Sequence, residues 1–485
     1  MSTFPTNLFD GKRFAVVGLG KNGSPAARAL AAMGAEVVAW DDSEKARAAL
    51  SNTSPSTSLT PSWPGLTGPA RGAAGTGASA PGHDGMSGTG RDETGAAGGV
   101  TLRDPTADPE FRFDALVLSP GIPHRLPSPH PAAVRAREAG VPILSDTEFL
   151  YRAVRAAGSR ARFAGITGTN GKSTTTALLA HILTQAGVTA VAGANLGPAA
   201  LSLPLLPHDA VYVLEMSSYM LERIESLRFD AAAMLNLSAD HLDRHGDMEG
   251  YTAAKRGIFA RLAFDDLAVI GTDDPGSRTM ADWLDTQPAQ VVRVSGQDRA
   301  LAQGPALPGS HNAQNAAAAT AMARFFGISD DAIAAGLRSF PGLPHRQQRI
   351  VTVDGVSFIN DSKATNADAT ERALVCYDRL IWIAGGMAKE GGIEPLVPLF
   401  PRIARALLIG RDAPQFAETL TREGVPFDML GTLDAAVPAA FAAAKASDAP
   451  TVLLSPACAS WDQFTGYDER GDRFAELARC LAGGA

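Results

Sequence analysis

Short apolar runs alternate with longer segments of helical spacing along most of the chain. The segment "RFAVVGLGKNGSPAARALAAMGAEVVAWDD", which starts at Arg13, predicts a strand, a glycine-rich turn, an alanine-rich helix and a second strand. The alternation returns in "RFAGITG", "AVYVLEM" and "FDAAAMLNL", and again in "LIWIAGG", "ALLIG" and "TVLLSPA". Strands that alternate with helices favour parallel sheets. The pattern therefore predicts an α/β fold with mainly parallel sheets.

One stretch interrupts this pattern. Between residues 51 and 100, Gly, Pro, Ser and Thr occupy 31 of 50 positions, whereas Leu, Val, Ile and Phe occupy three. Such a composition cannot bury enough apolar surface to offset the entropy that ordering the chain would cost. We therefore interpret residues 51–100 as a disordered insertion within the first domain.

The length of the chain and the positions of its candidate linkers predict three domains. A chain of 485 residues exceeds one compact core, given about 150 residues per domain. The alternation restarts near Arg160, and "FPGLPHRQQR" has the composition of a linker. We predict an N-terminal Rossmann-like domain at 1–158, a central P-loop ATPase-like domain at 159–342 and a C-terminal Rossmann-like domain at 343–485.

Composition narrows the class of protein. The formal net charge of -8 argues against a general binder of nucleic acids or membrane surfaces. The cysteines, Cys376, Cys458 and Cys480, form no CxxC pair, which fits a reducing compartment. No apolar run reaches the ~18 residues of a membrane span. We expect a soluble, cytoplasmic protein with no nucleic-acid partner and no membrane insertion.

Glycines at the end of the first predicted strand suggest a nucleotide site. Gly18, Gly20 and Gly23 follow a strand and open a helix, and Asp41 lies about where a ribose-binding acid is expected. By itself the pattern is typical of NAD binding. The same backbone amides could equally hold the diphosphate of another nucleotide, and the glycines could serve packing only.

A second loop has the order of a phosphate-binding P-loop. "GITGTNGKST" places Gly171, Lys172 and Ser173 between a strand and a helix, although Ile166 stands where the standard pattern has a glycine. The loop amides and Lys172 suit phosphate oxygens, and the Ser173 hydroxyl suits Mg²⁺. Glu215 ends another strand, as an Mg²⁺-binding acid does in such domains. A chance match is the alternative.

Other polar residues at strand ends allow two interpretations each. His241 is as readily a satisfied loop histidine as a metal ligand, because Mg²⁺ prefers oxygen. Lys255 has the position of an ordinary solvated helix lysine. Asp361, in "INDSKATN", could simply cap the helix that follows.

The order of the motifs is more specific than any one of them. "GITGTNGKST", "GANLG", "LEMSSYML", "SADHLDR", "YTAAKRGIF", "HNAQNAAAA", "GLPHR", "INDSKATN" and "LLSPACASWDQF" follow one another along the chain. Together they resemble the Mur ligase family, whose loop, TGTNGKS/T, lacks the early glycine. Within that family, "NDSKATN" with "SPACASWDQF" favours the branch that adds D-glutamate.

The resemblance implies an ATP-dependent amide ligase of peptidoglycan precursor synthesis. ATP would phosphorylate the L-alanine carboxylate of UDP-N-acetylmuramoyl-L-alanine, and the amine of D-glutamate would then displace the phosphate. The family uses two Mg²⁺ ions and a CO₂-derived carbamate on the lysine that Lys255 matches. Carbamate formation requires a neutral amine, so we expect a lowered pKa for Lys255. The implied partners are these small molecules, and the enzyme is expected to be a monomer.

The resemblance also implies a set of site residues. The catalytic set is Lys172, Glu215, His241, Lys255, Arg346, Asp361 and Lys363. The metal set is Ser173, Glu215, His241 and Lys255. The ATP set is Gly168, Thr169, Asn170, Gly171, Lys172, Ser173, Thr174, Asn312, Asn315, Arg346 and Asp361. The UDP-muramoyl set is Lys21, Asn22, Asp41, Ser119, Pro120, Gly121 and Asn195, with His241 also expected beside the muramoyl arm. The C-terminal domain would bind D-glutamate and close on ATP, with Thr365, Lys389, Ser460 and Tyr467 near the amino acid and Arg470 at a further active-site position.

Three rival interpretations follow from parts of the same sequence. Within the family, the chain could add another amino acid or act on another acceptor. From Gly18, Gly20 and Gly23 alone, it could be a nicotinamide-dependent dehydrogenase. It could also be a nucleotide-binding scaffold without catalytic activity.

Overall fold

The computed structural model describes residues 3–52, 99–297, 304, 306–389 and 391–483. Residues 53–98 of the predicted insertion lie outside the described residues. The chain divides into two compact units, Met1–Ser295 with Ala317–Gly336, and Gly296–Ala316 with Leu337–Ala485. The three domains with boundaries after 158 and 342 stay a prediction.

The first unit contains two sheets, and the N-terminal one is built from a βαβ pattern. Its elements are β1 (Arg13–Val17), α1 (Gly23–Ala32), β2 (Glu36–Trp40), α2 (Glu44–Asn52), β3 (Val100–Leu102), β4 (Ala115–Leu118), α3 (Pro131–Glu138), β5 (Ile143–Leu144) and α4 (Asp146–Ala156). All pairs are parallel, in the order β3-β2-β1-β4-β5. The strand order reverses between β1 and β4, and ligands of such sheets bind at the carboxyl ends of the strands there.

The second sheet of this unit is also parallel throughout. Its elements are β6 (Arg162–Thr167), α5 (Lys172–Gln185), β7 (Ala190–Ala194), β8 (Val211–Glu215), α6 (Ser218–Leu221), β9 (Ala231–Met234), α7 (Leu242–His245), α8 (Met248–Arg256), β10 (Leu267–Gly271), α9 (Pro275–Leu284) and β11 (Gln290–Val294). The order is β11-β10-β9-β6-β8-β7, so the ends of β8 and β9 flank the end of β6.

Helix α4 joins the two sheets through one apolar core. The ring of Phe149 lies 4.9 Å from that of Phe14 on β1, and Tyr151 lies 5.2 Å from Phe163 on β6. Phe14, Phe149 and Phe163 are buried members of one cluster. Because α4 packs against both sheets, the carboxyl ends of both are held in one fixed arrangement.

The second unit is built around a third, mixed sheet. Helices α10 (Ser310–Phe325) and α11 (Asp330–Ser339) cross the division between the units, and the remaining elements are β12 (Gln348–Val353), β13 (Val356–Asn360), α12 (Ala367–Leu374), β14 (Leu380–Gly385), β15 (Met387–Ala388), β16 (Ile403–Ile409), α13 (Ala413–Arg422), β17 (Phe427–Gly431), α14 (Leu433–Ser447), β18 (Thr451–Leu454), β19 (Cys458–Ala459) and α15 (Tyr467–Gly483). The order is β12-β13-β18-β14-β16-β17, and β12 is antiparallel to β13 whereas the other pairs are parallel. Strands β15 and β19 form a separate antiparallel ladder.

The predicted α/β fold with mainly parallel sheets is confirmed. The prediction of a disordered insertion is wrong at its two ends, because α2 continues to Asn52 and β3 already begins at Val100. Within the part of the chain that the structure describes, no helix is long and apolar enough to cross a membrane.

Candidate active site

The loop between β6 and α5 lies at the N-terminus of a helix and is held from a neighbouring strand end. Gly168 and Gly171 have φ angles of +149° and +84°, which glycine adopts without steric cost. The Asn170 N–H donates to Asn236 Oδ1 at 2.8 Å, and the Thr169 N–H donates to the Asn236 carbonyl at 3.0 Å. Backbone N–H groups at the start of a helix form a binding site for phosphate.

The unusual residue of this motif has a structural explanation. Ile166, which stands where a P-loop usually has glycine, is fully buried in β6. The strand therefore extends through this position, and the loop itself begins at Gly168. Ser173 and Thr174 follow Lys172 in the first turn of α5.

Two lysines meet at one carbonyl of this loop. Lys172 Nζ donates to the carbonyls of Gly168 and Thr169 at 2.9 and 2.8 Å, and Lys255 Nζ donates to the same Gly168 oxygen at 2.9 Å. Lys255 is only 1% exposed, so it is not the solvated helix lysine that its position first suggests. Burial, and then the charge of Lys172, holds the pKa of Lys255 well below its usual value. The expected lowering is confirmed, with burial as its larger cause.

Glu215 connects two other predicted site residues at the same sheet edge. Its Oε2 accepts the Ser173 hydroxyl at 2.8 Å, and its Oε1 accepts the Asn195 side-chain N–H at 2.6 Å. Asn195 comes directly after β7, whereas Ser173 lies in the first turn of α5. The carboxylate and hydroxyl oxygens gathered here are ligand types that Mg²⁺ prefers, whereas Asn195 presents its side-chain N–H to the carboxylate.

His241 precedes α7 in a left-handed backbone conformation with φ of +52°. Its Nε2 lies 3.3 Å from Asp240 Oδ2, and its ring centroid lies 5.0 Å from that of Tyr219. Burial lowers the pKa of His241; the Asp240 charge opposes this, and the charges of Lys172 and Lys255 reinforce it. These interactions favour the neutral imidazole, which is the form that binds metals.

A pocket of about 590 Å³ opens at the carboxyl ends of β1 and β4. It is lined by all the residues expected to bind the UDP-muramoyl substrate except His241: Lys21, Asn22, Asp41, Ser119, Pro120, Gly121 and Asn195. Lys21 Nζ donates to the Asn195 carbonyl at 3.3 Å. The structure thus brings these residues together, at the place where the strand order reverses.

Asp41 organises the pocket through the backbone. Its Oδ2 accepts the Leu19 N–H at 2.6 Å, and its Oδ1 accepts the Ser43 N–H at 2.8 Å. Asn22 Nδ2 donates to Asp146 Oδ2 at 3.0 Å. Asp41, directly after β2, therefore fixes the glycine turn after β1. The spacing of the motif alone did not reveal this structural role.

A second cluster lies in the other unit, at the ends of β13 and β18. Asp361 Oδ2 accepts the Ser455 hydroxyl at 2.8 Å, and its Oδ1 accepts the Gln347 N–H at 3.1 Å. Burial raises the pKa of Asp361 to about 7; the two hydrogen bonds and the charge of Arg346 oppose this rise. Asp361 is therefore a buried acid and not simply a helix cap.

The residue pair Lys363 and Arg470 connects this cluster to α15. Lys363 Nζ lies 3.7 Å from the ring centroid of Tyr467, and the Ser362 hydroxyl donates to the Tyr467 carbonyl at 2.7 Å. Arg470 Nε donates to Ser362 Oγ at 2.9 Å. Burial lowers the pKa of Arg470 to about 10, so that it stays protonated at neutral pH.

Some predicted residues are paired and others are not. Asn315 Nδ2 donates to Asn312 Oδ1 at 3.0 Å, so these two share one face of α10. Thr365 adjoins Lys363, because its N–H donates to the Lys363 carbonyl at 2.9 Å. Lys389 and Ser460 directly follow β15 and β19, the two strands of one short antiparallel ladder, and their role stays a prediction.

Three residues with clear structural roles at these sites were not predicted. Ser455 supports Asp361, Asp146 binds Asn22, and Arg223 holds the turn after β4. Ser455 directly follows the apolar strand β18, which is a usable signal in the sequence. Asp146 and Arg223 depend on packing between the two sheets of the first unit, which no local pattern encodes.

The fold and the loop define a class of protein. A parallel sheet whose strand leads into Gly171-Lys172-Ser173 at a helix start, with a buried acid at the end of the next strand, is the arrangement of P-loop-type nucleotide-binding proteins. Residues 166–306 match the family model described as Mur ligase middle domain.

Full-length relatives narrow this class. The chain is 45% identical to UDP-N-acetylmuramoylalanine--D-glutamate ligase of Paramagnetospirillum magneticum, over 99% of each chain. It is 44% identical to the ligase of the same name from Rhodospirillum rubrum, over 99% of this chain and 96% of the relative. The chain belongs to the Mur ligase family.

Solved structures agree at the level of the fold. UDP-N-acetylmuramate-alanine ligase MurC from Thermotoga maritima matches with a TM-score of 0.54 and 17% identity, over 97% of this chain and 99% of that one. A crystal structure of MurF from Acinetobacter baumannii matches with a TM-score of 0.51 and 18% identity, over 70% of this chain and 81% of that one.

Proposed function

We propose that this enzyme joins D-glutamate to UDP-N-acetylmuramoyl-L-alanine with consumption of ATP, as a monomer in the cytoplasm. The observation that carries the proposal is the meeting of Lys172 and Lys255 at the Gly168 carbonyl, beside the Ser173–Glu215 pair. The choice of substrates is supported by full-length similarity to two ligases named UDP-N-acetylmuramoylalanine--D-glutamate ligase.

The reaction has two balanced steps. An oxygen of the L-alanine carboxylate attacks the γ-phosphorus of ATP, the bond to the β,γ-bridging oxygen breaks, and ADP leaves. The D-glutamate amine then attacks the acyl carbon, the bond to the phosphate oxygen breaks, and an amide, phosphate and a proton result. Both the γ-phosphate and the carboxylate are anions, so their approach requires positive charge around the transferred group.

The residues of the first unit supply that charge. We propose that the N–H groups of Gly168–Ser173 and the Lys172 ammonium bind the phosphates of ATP. We propose that His241 and the buried Lys255, which contacts the Gly168 carbonyl of this loop, act on the carboxylate side of the reaction. Asn195 connects this region to the UDP pocket through its contacts with Glu215 and Lys21.

The donor set also fits the expected metal ions. Ser173 and Glu215 would hold one Mg²⁺, and His241 and a carbamate of Lys255 would hold the second; their chemistry is to neutralise charge on the transferred phosphoryl group. Lys255 suits this modification, because its lowered pKa makes the neutral amine accessible. The carbamate would convert a buried cation into an oxygen ligand.

Residues of the second unit are proposed to bind the nucleotide and the amino acid. Asn312 and Asn315 would contact the adenine, and Arg346, Asp361 and Lys363 would contact the ATP. The amino acid, a dicarboxylate, requires cations and several donors. Thr365, Lys389, Ser460, Tyr467 and Arg470 are proposed for this role.

Oxygen-18 transfer tests the acyl-phosphate route. With both oxygens of the L-alanine carboxylate labelled, one labelled oxygen should appear in each phosphate released. In the same assay, Lys172→Ala should lower the rate of turnover by about 10²-fold or more, because a charge directed at the transition state is lost. The transfer of labelled oxygen is measured by mass spectrometry of the released phosphate. Product formation with unlabelled phosphate would refute the route.

A further inference from the structure

The pocket turn, residues 119–122 after β4, is held by Arg223, which lies between α6 and β9 in the same unit. Arg223 Nη1 donates to the carbonyls of Leu118 and Ser119 at 2.9 and 3.1 Å, and its Nη2 donates to the Ile122 carbonyl at 2.7 Å. Arg223 follows α6, which itself follows β8. One forked side chain therefore holds both ends of the pocket turn.

The other contacts of the pocket turn show that its hydrogen bonds to Arg223 affect the shape of the pocket. The Ser119 hydroxyl donates to the Gly18 carbonyl at 2.7 Å, and Ser119 lines the pocket. Arg244 adds an outer contact, since its Nη1 donates to the Gly121 carbonyl at 2.9 Å. The position of the pocket turn relative to the glycine turn after β1 thus depends on guanidinium groups that lie outside the pocket.

Arg223 is itself rigidly placed. It is 2% exposed, and its carbonyl accepts the Ser145 N–H at 2.9 Å. The buried Glu148 carboxylate accepts the N–H groups of Glu225 and Leu227, each at 3.0 Å, and so fixes the next residues. Because Arg223 is held firmly, it can fix the position of the pocket turn, whereas a mobile side chain could not.

We propose that Arg223 is a positioning residue for the nucleotide substrate, holding the pocket turn in the geometry that receives the UDP moiety. This inference rests on the proposed function. Arg223 does not line the pocket, and the proposed reaction assigns it no role. Its loss should therefore weaken binding of the uridine nucleotide and leave binding of ATP unchanged.

The test compares Arg223→Met and Arg223→Lys with Arg261→Met. Arg261 is the matched control, because its Nη2 donates to the Ile224 carbonyl at 2.7 Å instead of to the pocket turn. We expect Arg223→Met to raise the KM for UDP-N-acetylmuramoyl-L-alanine about tenfold or more, since small misplacements of a positioned group cost this much. Arg223→Lys should raise it less, because one ammonium replaces the two nitrogens of the fork. The KM for ATP should not change, and Arg261→Met should alter neither KM.

Calorimetric titration with UDP provides a readout that does not depend on turnover. The Kd of UDP should rise in the same order, with the Arg223→Met value highest. A folded Met variant with unchanged KM and Kd, or an equal rise in both KM values, would overturn the proposal. If the Arg223→Met variant does not fold, an Arg223→Lys variant with unchanged KM and Kd would also overturn the proposal. Wild-type protein that binds UDP but forms no product would instead refute the proposed function.

Discussion

Two ionisable residues predicted to be functional, one in each unit, are unusual because they are buried. Lys255 is 1% exposed and Asp361 is 6% exposed, and burial shifts the pKa of each toward its neutral form. Buried charges with shifted pKa values cost stability and cluster where function requires them. The sequence predicted both residues only through the family motif, because an isolated Lys in a helix or an Asp at a turn carries no sign of its burial.

Asp361 should make stability depend on pH. An unfolded Asp has a pKa of about 3.9, whereas burial raises that of Asp361 to about 7. The folded state thus holds the proton more tightly, and stability is lost as the pH rises through this window. Asp361→Asn should remove the loss, so its stability relative to the wild type should increase by about 1.4 kcal/mol per pH unit from pH 5 to about pH 7 and level off above that.

The urea midpoint of unfolding at several pH values measures this difference. Asp448→Asn is the matched control, because Asp448 is an exposed carboxylate in a left-handed conformation that Asn also adopts. A gap between Asp361→Asn and the wild type that stays constant across this pH range would contradict the account.

At the scale of elements, the turn after β1 depends on one glycine much more than on another. Gly18 has φ of +90°, and a Cβ there would lie 2.5 Å from Ile122 Cδ1 and 2.7 Å from Ser119 Cβ. Gly20 has no neighbour within 4 Å of such an atom. The same motif therefore contains one position that the pocket requires and one that tolerates a side chain.

Gly18→Ala should accordingly push the pocket turn away, while Gly20→Ala should not. We expect Gly18→Ala to destabilise the protein by about 1–3 kcal/mol, from the strained backbone alone, and to weaken UDP binding. Thermal unfolding with and without UDP measures both effects, and Gly20→Ala is the control. Equal stabilisation of the two variants by UDP would show that the tight contact at Gly18 is irrelevant to the pocket.

The missed strands have a common physical cause. β3, β11, β12, β15, β17 and β19 were not predicted, and each lies at the edge of its sheet. An edge strand has one paired side and can be partly exposed, so it lacks a continuous apolar run; β11 has the sequence QVVRV with only its last residue buried. The central strands β6, β8 and β14 are buried along almost their whole length and were predicted.

At the scale of the whole molecule, the sequence predicts which residues lie at the carboxyl ends of the strands. It predicts less well which side chains those residues contact. Parallel topology predicts that the residues after β6 and β8 lie together, as Ser173 and Glu215 do. It does not predict that Asn195 completes that pair or that Arg223 reaches the pocket turn. Such contacts depend on side-chain packing between elements far apart in the chain.

Phosphate release from ATP tests the central claim most directly. The assay contains UDP-N-acetylmuramoyl-L-alanine and, separately, D-glutamate, L-glutamate, L-lysine or meso-diaminopimelate. The account predicts release with D-glutamate only, together with one amide product per phosphate. Release with a different amino acid would keep the ligase mechanism and reject the proposed substrate. No release with any of them would contradict the proposed function itself.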